Sequence, residues 1–237
     1  MADSEIVSVI QANLSAVRQQ IDAACVRSGR NPDDVRLVAV SKYAHWTWVT
    51  ALAEFHSLFG ENRPQQLAER QALLPQVEWH LIGQLQRNKV RLAIQHAHTI
   101  HSIDSVRLLE RIVVVAADLN IRPRLLLEVN VSGESTKAGF HPDELRSAWN
   151  QICRFSGQAE IVGLMTMAPE ADDPEEARIH FAALNRLRNE LSDLAVNSVT
   201  LSELSMGMSG DFVPAVEEGA TLVRIGSRLF EGLPRVE

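Results

Sequence analysis

The chain has 237 residues, 46% of them hydrophobic and 22% charged, with a formal net charge of −7. It is long enough to bury a full core in one domain, and its acidic balance argues against a nucleic-acid groove or an anionic membrane surface. The two cysteines, Cys25 and Cys153, have no metal-like or redox-like spacing and read as small buried apolar residues in a reducing compartment.

The first residues, Met1-Ala2-Asp3-Ser4-Glu5, lack the basic start of a signal peptide. The longest purely apolar run, Ile112 to Ala117, is far too short to span a bilayer. A soluble cytoplasmic protein is expected. Asp3-Ser4 opens a long first helix, with Ile6, Val7, Ile10, Leu14, Val17 and Ile21 at helical spacing and an end near Gly29. Apolar runs then recur near 36–41, 57–60, 78–82, 98–102, 124–130, 160–165, 199–204 and 221–226. Most are short, rich in Val, Ile and Leu, and close to continuously apolar, as strands covered on both faces are.

Helix signals separate these runs. Asp104-Ser105 precedes Val106, Leu108, Leu109, Ile112 and Val113. Pro142 stands where a first-turn proline belongs, ahead of Leu145, Trp149 and Ile152. Asp173-Pro174-Glu175-Glu176 puts acids at the favourable end of a helix through Phe181, Leu184, Leu187 and Leu191. Strands alternating with helices predict a single α/β domain over residues 1–237, a (β/α)8 barrel with an additional N-terminal helix. The competing open sheet would want a Gly-x-Gly-x-x-Gly turn after its first strand, where the chain reads Ser41-Lys42-Tyr43-Ala44.

In such a barrel the site lies at the C-terminal strand ends, with phosphate often held by the last two loops. Lys42 follows the first strand, Gly60-Glu61-Asn62 the second, Ser205-Met206-Gly207-Met208-Ser209 the seventh and Gly226-Ser227 the eighth, and Arg224 shares the strand face of Gly226. A strand-end lysine, two Gly/Ser turns and an arginine are the parts needed to hold an aldehyde-bearing phosphate cofactor. Taken singly, Lys42 reads as a solvated charge, Arg224 as one half of an ion pair, and Met206 and Met208 as core plugs. His96, His98 and His101 suggest a metal site, but His96 ends a helix and His98 and His101 fall on opposite strand faces, with no carboxylate expected to complete a ligand set. His80 reads equally as core and as a polar site residue. Arg87, Lys89 and Arg91 read as a solvated helix face.

The motifs Ala39-Val40-Ser41-Lys42, Phe59-Gly60-Glu61-Asn62, Trp79-His80-Leu81-Ile82-Gly83, Val129-Asn130-Val131-Ser132 with Lys137 and Gly139, Gly163-Leu164-Met165, Leu204 to Ser209, and Val223-Arg224-Ile225-Gly226 run in order through nearly the whole chain. As a set they resemble the YggS/PROSC family of pyridoxal 5′-phosphate (PLP) homeostasis proteins, which look like the barrel domain of alanine racemase standing alone. The resemblance implies PLP held on Lys42 as a Schiff base, with Ser205, Met206, Ser209, Gly226 and Ser227 around its phosphate. It puts Arg224 at the pyridine nitrogen and Asn62 beside the cofactor. The segment from Tyr43 to Trp48, Arg63, Gln84 and Arg87 depart from the family's usual residues and bear on loop detail.

An arginine at the ring nitrogen disfavours its protonation and so weakens the ring as an electron sink. Racemisation also needs an acid/base on the second face of the substrate. The only tyrosine, Tyr43, adjoins Lys42 and on a strand would face away from it. The expectation is a PLP carrier with no catalytic residues, no metal and little or no turnover, acting as a monomer with apo-PLP enzymes as recipients. A weak amino-acid racemase is the alternative. Lys137, which also follows a strand, is the other lysine for a covalent adduct, or a solvated loop residue.

Overall fold

The computed structural model describes residues 3–134, 137–195 and 199–234. Helix α1 (Asp3–Arg27) buries Ile10, Leu14, Val17 and Ile21, the stripe read from the sequence, and gives way at Gly29, whose φ of 69° no helix continues. Eight strands follow: β1 (Arg36–Val40), β2 (Leu58–Glu61), β3 (Glu78–Leu81), β4 (Thr99–Ile103), β5 (Arg124–Glu128), β6 (Glu160–Met165), β7 (Glu203–Ser205) and β8 (Leu222–Ile225). All pair in parallel, in chain order, and β8 closes on β1 to complete a barrel. The expected (β/α)8 fold with an extra N-terminal helix is the observed one. The expected seventh strand at 199–204 sits later, at Glu203–Ser205; Leu201 ahead of it is buried in the outer core as part of the lead-in.

The helices between strands are α2 (Trp46–Ala53), α3 (Pro64–Leu73), α4 (Val90–His96), α5 (Val106–Leu119), α6 (Pro142–Cys153), α7 (Arg178–Asp193) and α8 (Phe212–Glu217). The start signals act as the sequence suggests. Ser105 Oγ accepts from Leu108 N at 3.3 Å, Pro142 stands in the first turn of α6, and Asp173 caps the 3-10 turn that leads into α7. Among the described residues, a 3-10 turn, Ser227–Phe230, is the one helical element after β8. Helix α1 packs against α2, α8 and that turn, and so fills the outer position an eighth helix would take. Both cysteines are buried.

Strand alternation separates two cores. One lies between strands and helices; the other, inside the barrel, joins Val38, Leu58, Leu126, Val162, Met165 and Leu222. The barrel's N-terminal mouth is closed by charge. Arg36 reaches Glu78 at 3.4 Å and Glu203 at 3.3 Å, and Arg124 reaches Glu160 at 2.7 Å and Glu203 at 3.6 Å. No helix among the described residues is long and apolar enough to cross a membrane.

Candidate functional site

At the C-terminal mouth a cavity of about 1310 Å³ gathers Lys42, Tyr43, Asn62, Ser209, Arg224, Gly226 and Ser227 in its lining. Six of the eight site residues expected from the sequence therefore meet in one place. Ser205 and Met206 do not line it. Ser205 is fully buried behind Arg224, and Met206 is a core residue whose N–H donates to Leu222 O at 3.1 Å.

Lys42 is carried by a short turn after β1, closed by Ala44 N donating to Ser41 O at 2.8 Å. That turn is held from behind by a buried ion pair that sequence reading missed. Arg70 on α3 donates to the carbonyls of Ser41 (2.7 Å) and Ala44 (3.1 Å), one on each side of Lys42, and pairs with the fully buried Glu61. Ser41 Oγ donates to the same Glu61 oxygen at 2.6 Å. Burial pushes the Glu61 carboxyl up, while the Ser41 hydroxyl and the Arg70 charge pull it back.

The turn has a second consequence. Strand β1 ends at Val40, so strand parity does not apply to positions 42 and 43. Tyr43 does not face away from Lys42: its ring centre lies 5.0 Å from the Lys42 amine, on the same cavity, and the residue is 85% exposed.

Asn62 follows β2, and the adjoining Gly83 has to be glycine, because a Cβ there would collide with the Asn62 backbone. After β7, Gly207 turns the chain at φ 89°; a Cβ would stand 2.6 Å from Ala215 Cβ. Asp211 then accepts from Met208 N at 2.6 Å, and Ser209 Oγ accepts from Gly226 N at 3.2 Å, which ties the last two turns together. Burial raises the Asp211 carboxyl, against the pull of the Met208 N–H and the Arg224 charge.

Arg224 enters from β8 and is 4% exposed. It donates to Ser205 Oγ at 2.7 Å and Thr166 O at 3.0 Å. Burial lowers its pKa to about 10, so it stays charged at neutral pH. Glu128, at the end of β5, shares the cavity; burial and the Asp104 charge raise its carboxyl to about 7, with Arg224 opposing. Its signal in the sequence is a carboxylate closing an otherwise apolar strand run.

Lys137 does not line the cavity and pairs with Glu134 at 3.2 Å. The histidines need a correction. His96 does end α4, but Glu78 lies between His80 (2.6 Å) and His98 (3.1 Å), so a carboxylate is present after all. Glu78 starts β3 and belongs to the charged N-terminal mouth, where it meets Arg36, a placement that spacing along the chain does not reveal. Arg36, 3.4 Å from the same Glu78 oxygen, opposes a further cation there, and His80 is already committed to hydrogen bonds at both ring nitrogens.

Residues 12–234 match the family described as alanine racemase, N-terminal domain. The chain is 39% identical over 223 residues to the pyridoxal phosphate homeostasis protein of Aquifex aeolicus, covering 92% of this chain and 95% of that one. It is 39% identical over 220 residues to the protein of that name in Deinococcus radiodurans, covering 92% and 99%. Among solved structures, PipY of Synechococcus elongatus PCC7942 with PLP bound superposes with a TM-score of 0.81 at 38% identity, covering 93% of this chain and 99% of PipY. An alanine racemase of Clostridium difficile reaches 0.74 at 17% identity over 97% of this chain but 59% of its own, a likeness of fold. With the barrel, the lysine turn and the paired last loops in place, these matches show that the chain belongs to the family of pyridoxal phosphate homeostasis proteins, built on the alanine racemase N-terminal barrel.

Proposed function

We propose that this protein binds PLP covalently through Lys42 and serves as a carrier of the cofactor with little or no turnover. The observation that carries the reading is convergence: an amine, a buried arginine and two tied Gly/Ser turns line one cavity. The residues fit the group. When bound, PLP supplies an aldehyde for the amine, an anionic phosphate and an electron-withdrawing ring. Lys42 is the nucleophile, and the turn under it is fixed by Arg70. Ser209, Gly226 and Ser227 offer the Gly/Ser turns suited to a phosphate, and Asn62 lines the wall beside Lys42. Arg224 presents N–H donors and a positive charge but, with a pKa of about 10, no proton to give at neutral pH. A fixed positive charge beside a ring nitrogen disfavours its protonation, which weakens carbanion chemistry.

The same reading takes the protein to be a cytoplasmic monomer whose recipients are PLP-dependent apoenzymes. The test is the visible spectrum of the protein with PLP, before and after borohydride, with peptide mapping of the modified residue. A reducible chromophore fixed on Lys42 is expected. A preparation that stays colourless with excess PLP overturns the proposal.

The position of Tyr43 beside Lys42 favours a second reading, a weak amino-acid racemase, because it places another ionisable hydroxyl at the mouth. Chiral chromatography after incubation with single L-amino acids separates the two readings. D-product accumulating over many turnovers defeats the carrier.

A further inference from the structure

A hydrogen-bonded chain crosses the barrel interior from one mouth to the other. Arg224 Nη1 donates to Ser205 Oγ at 2.7 Å, and Ser205 Oγ lies 2.8 Å from His101 Nδ1. His101 Nε2 lies 2.8 Å from His80 Nδ1, and His80 Nε2 lies 2.6 Å from Glu78 Oε1. The links come from β8, β7, β4 and β3, and His80, His101 and Ser205 are completely buried.

The direction of every bond follows from the two ends. A guanidinium only donates and a carboxylate only accepts. Glu78 is ionised, drawn down to about 2 chiefly by the His80 hydrogen bond. Burial keeps both imidazoles neutral, so each has one N–H and one lone pair. His80 must therefore give its Nε2–H to Glu78 and accept at Nδ1. His101 supplies that proton from Nε2 and accepts at Nδ1 in turn. The donor to His101 is the Ser205 hydroxyl, whose lone pairs remain to take Arg224. This assignment satisfies every atom in the chain.

We propose that His101 and His80 are positioning residues of the cofactor site: they commit the Ser205 proton to the barrel interior and fix its oxygen as the acceptor that orients Arg224. Ser205 then holds the arginine and is not a donor to the phosphate. The inference rests on the reading of the pocket as a PLP site, and it assigns work to two histidines outside the pocket lining.

The experiment has two arms. Long-range 1H–15N correlation spectra of the histidine rings, recorded without PLP, report the tautomers directly. Both His80 and His101 are expected as neutral Nε2–H forms at neutral pH; an Nδ1–H form or an imidazolium at either overturns the assignment. The second arm titrates PLP into the wild type, His101→Leu and His101→Asn, following affinity and the visible band. Leucine leaves the Ser205 proton without its acceptor, and the loss of one hydrogen bond in a charge-assisted chain predicts about tenfold weaker binding with a displaced band. Asparagine keeps an acceptor where Nδ1 stood and is expected to restore both readouts toward wild type. Leucine equal to wild type, or asparagine as impaired as leucine, overturns the proposal. If His101→Leu does not fold, the tautomers and the asparagine variant decide. A wild-type chain that takes up no PLP retires the proposed function while the tautomers still stand or fall alone.

Discussion

Replacing Arg70 with alanine tests the support beneath Lys42. In the intact protein Arg70 neutralises Glu61, whose side chain is 0% exposed, and grips the carbonyls of Ser41 and Ala44. The variant leaves a buried carboxylate with the Ser41 hydroxyl at 2.6 Å and the Asn62 N–H as donors and no opposite charge. Removing one partner of a buried pair costs about 3–5 kcal/mol, a large share of the roughly 5–15 kcal/mol that holds a domain together. The sign with pH follows from the carboxyl. Burial already raises the folded-state pKa of Glu61, so its neutral form suits the fold, and stability is lost as pH rises through that raised value. Without Arg70 the value climbs further, so the deficit of Arg70→Ala against wild type should be small near pH 5 and grow toward pH 8. Urea unfolding at both pH values measures it, and pairing the substitution with Glu61→Gln should recover most of the loss. PLP uptake on Lys42 should also slow, because the turn loses both its anchors. A deficit under about 1 kcal/mol, or one equal at the two pH values, would show that the pair does not carry this turn.

Lys42→Ala should abolish the borohydride-fixed adduct while unfolding within about 1 kcal/mol of wild type, as expected for a half-buried side chain on a turn; full labelling of another lysine counts against the assignment. Glu128→Gln should leave stability unchanged at pH 5 and raise it at pH 8. The wild-type carboxyl, raised to about 7, gives up stability as pH climbs through that value, by up to roughly 3 kcal/mol; parallel melting curves across pH would contradict this. Gly207→Ala forces a side chain into φ 89° and against Ala215, so a loss of about 1–3 kcal/mol is expected, with weaker PLP retention; thermal melts and a PLP titration check both.

The fold was legible because parallel strands covered on both faces leave uninterrupted apolar runs, and a helix start such as Asp173-Pro174 announces itself locally. The lining of the cavity was legible where residues sit at strand ends, as Lys42, Asn62, Ser209 and Gly226 do. What sequence could not supply was direction. Strand parity misplaces Tyr43, which lies three residues beyond the last residue of β1. Ser205 reads from the sequence as a pocket residue beside Arg224, but an inward strand residue just below the mouth meets the interior first, and Ser205 meets His101 there. Glu61 and Arg70 lie nine residues apart on a strand and a helix, a separation with no signature in the chain, and Glu78 joins His80 and His98 only once β3 and β4 lie side by side.

The seam of the ring, where β1 meets β8 under α1, orders events during synthesis. A nascent chain displays Lys42 long before Arg224 and Gly226 emerge. Until they do, the cavity around Lys42 lacks its arginine and its final turn, and under the proposed function an aldehyde that reacts with the amine is only loosely held. Colour acquired by this protein would therefore mark the moment the circle shuts, and chains stopped short of Leu222 would be left with a nucleophile and no means of keeping what it catches.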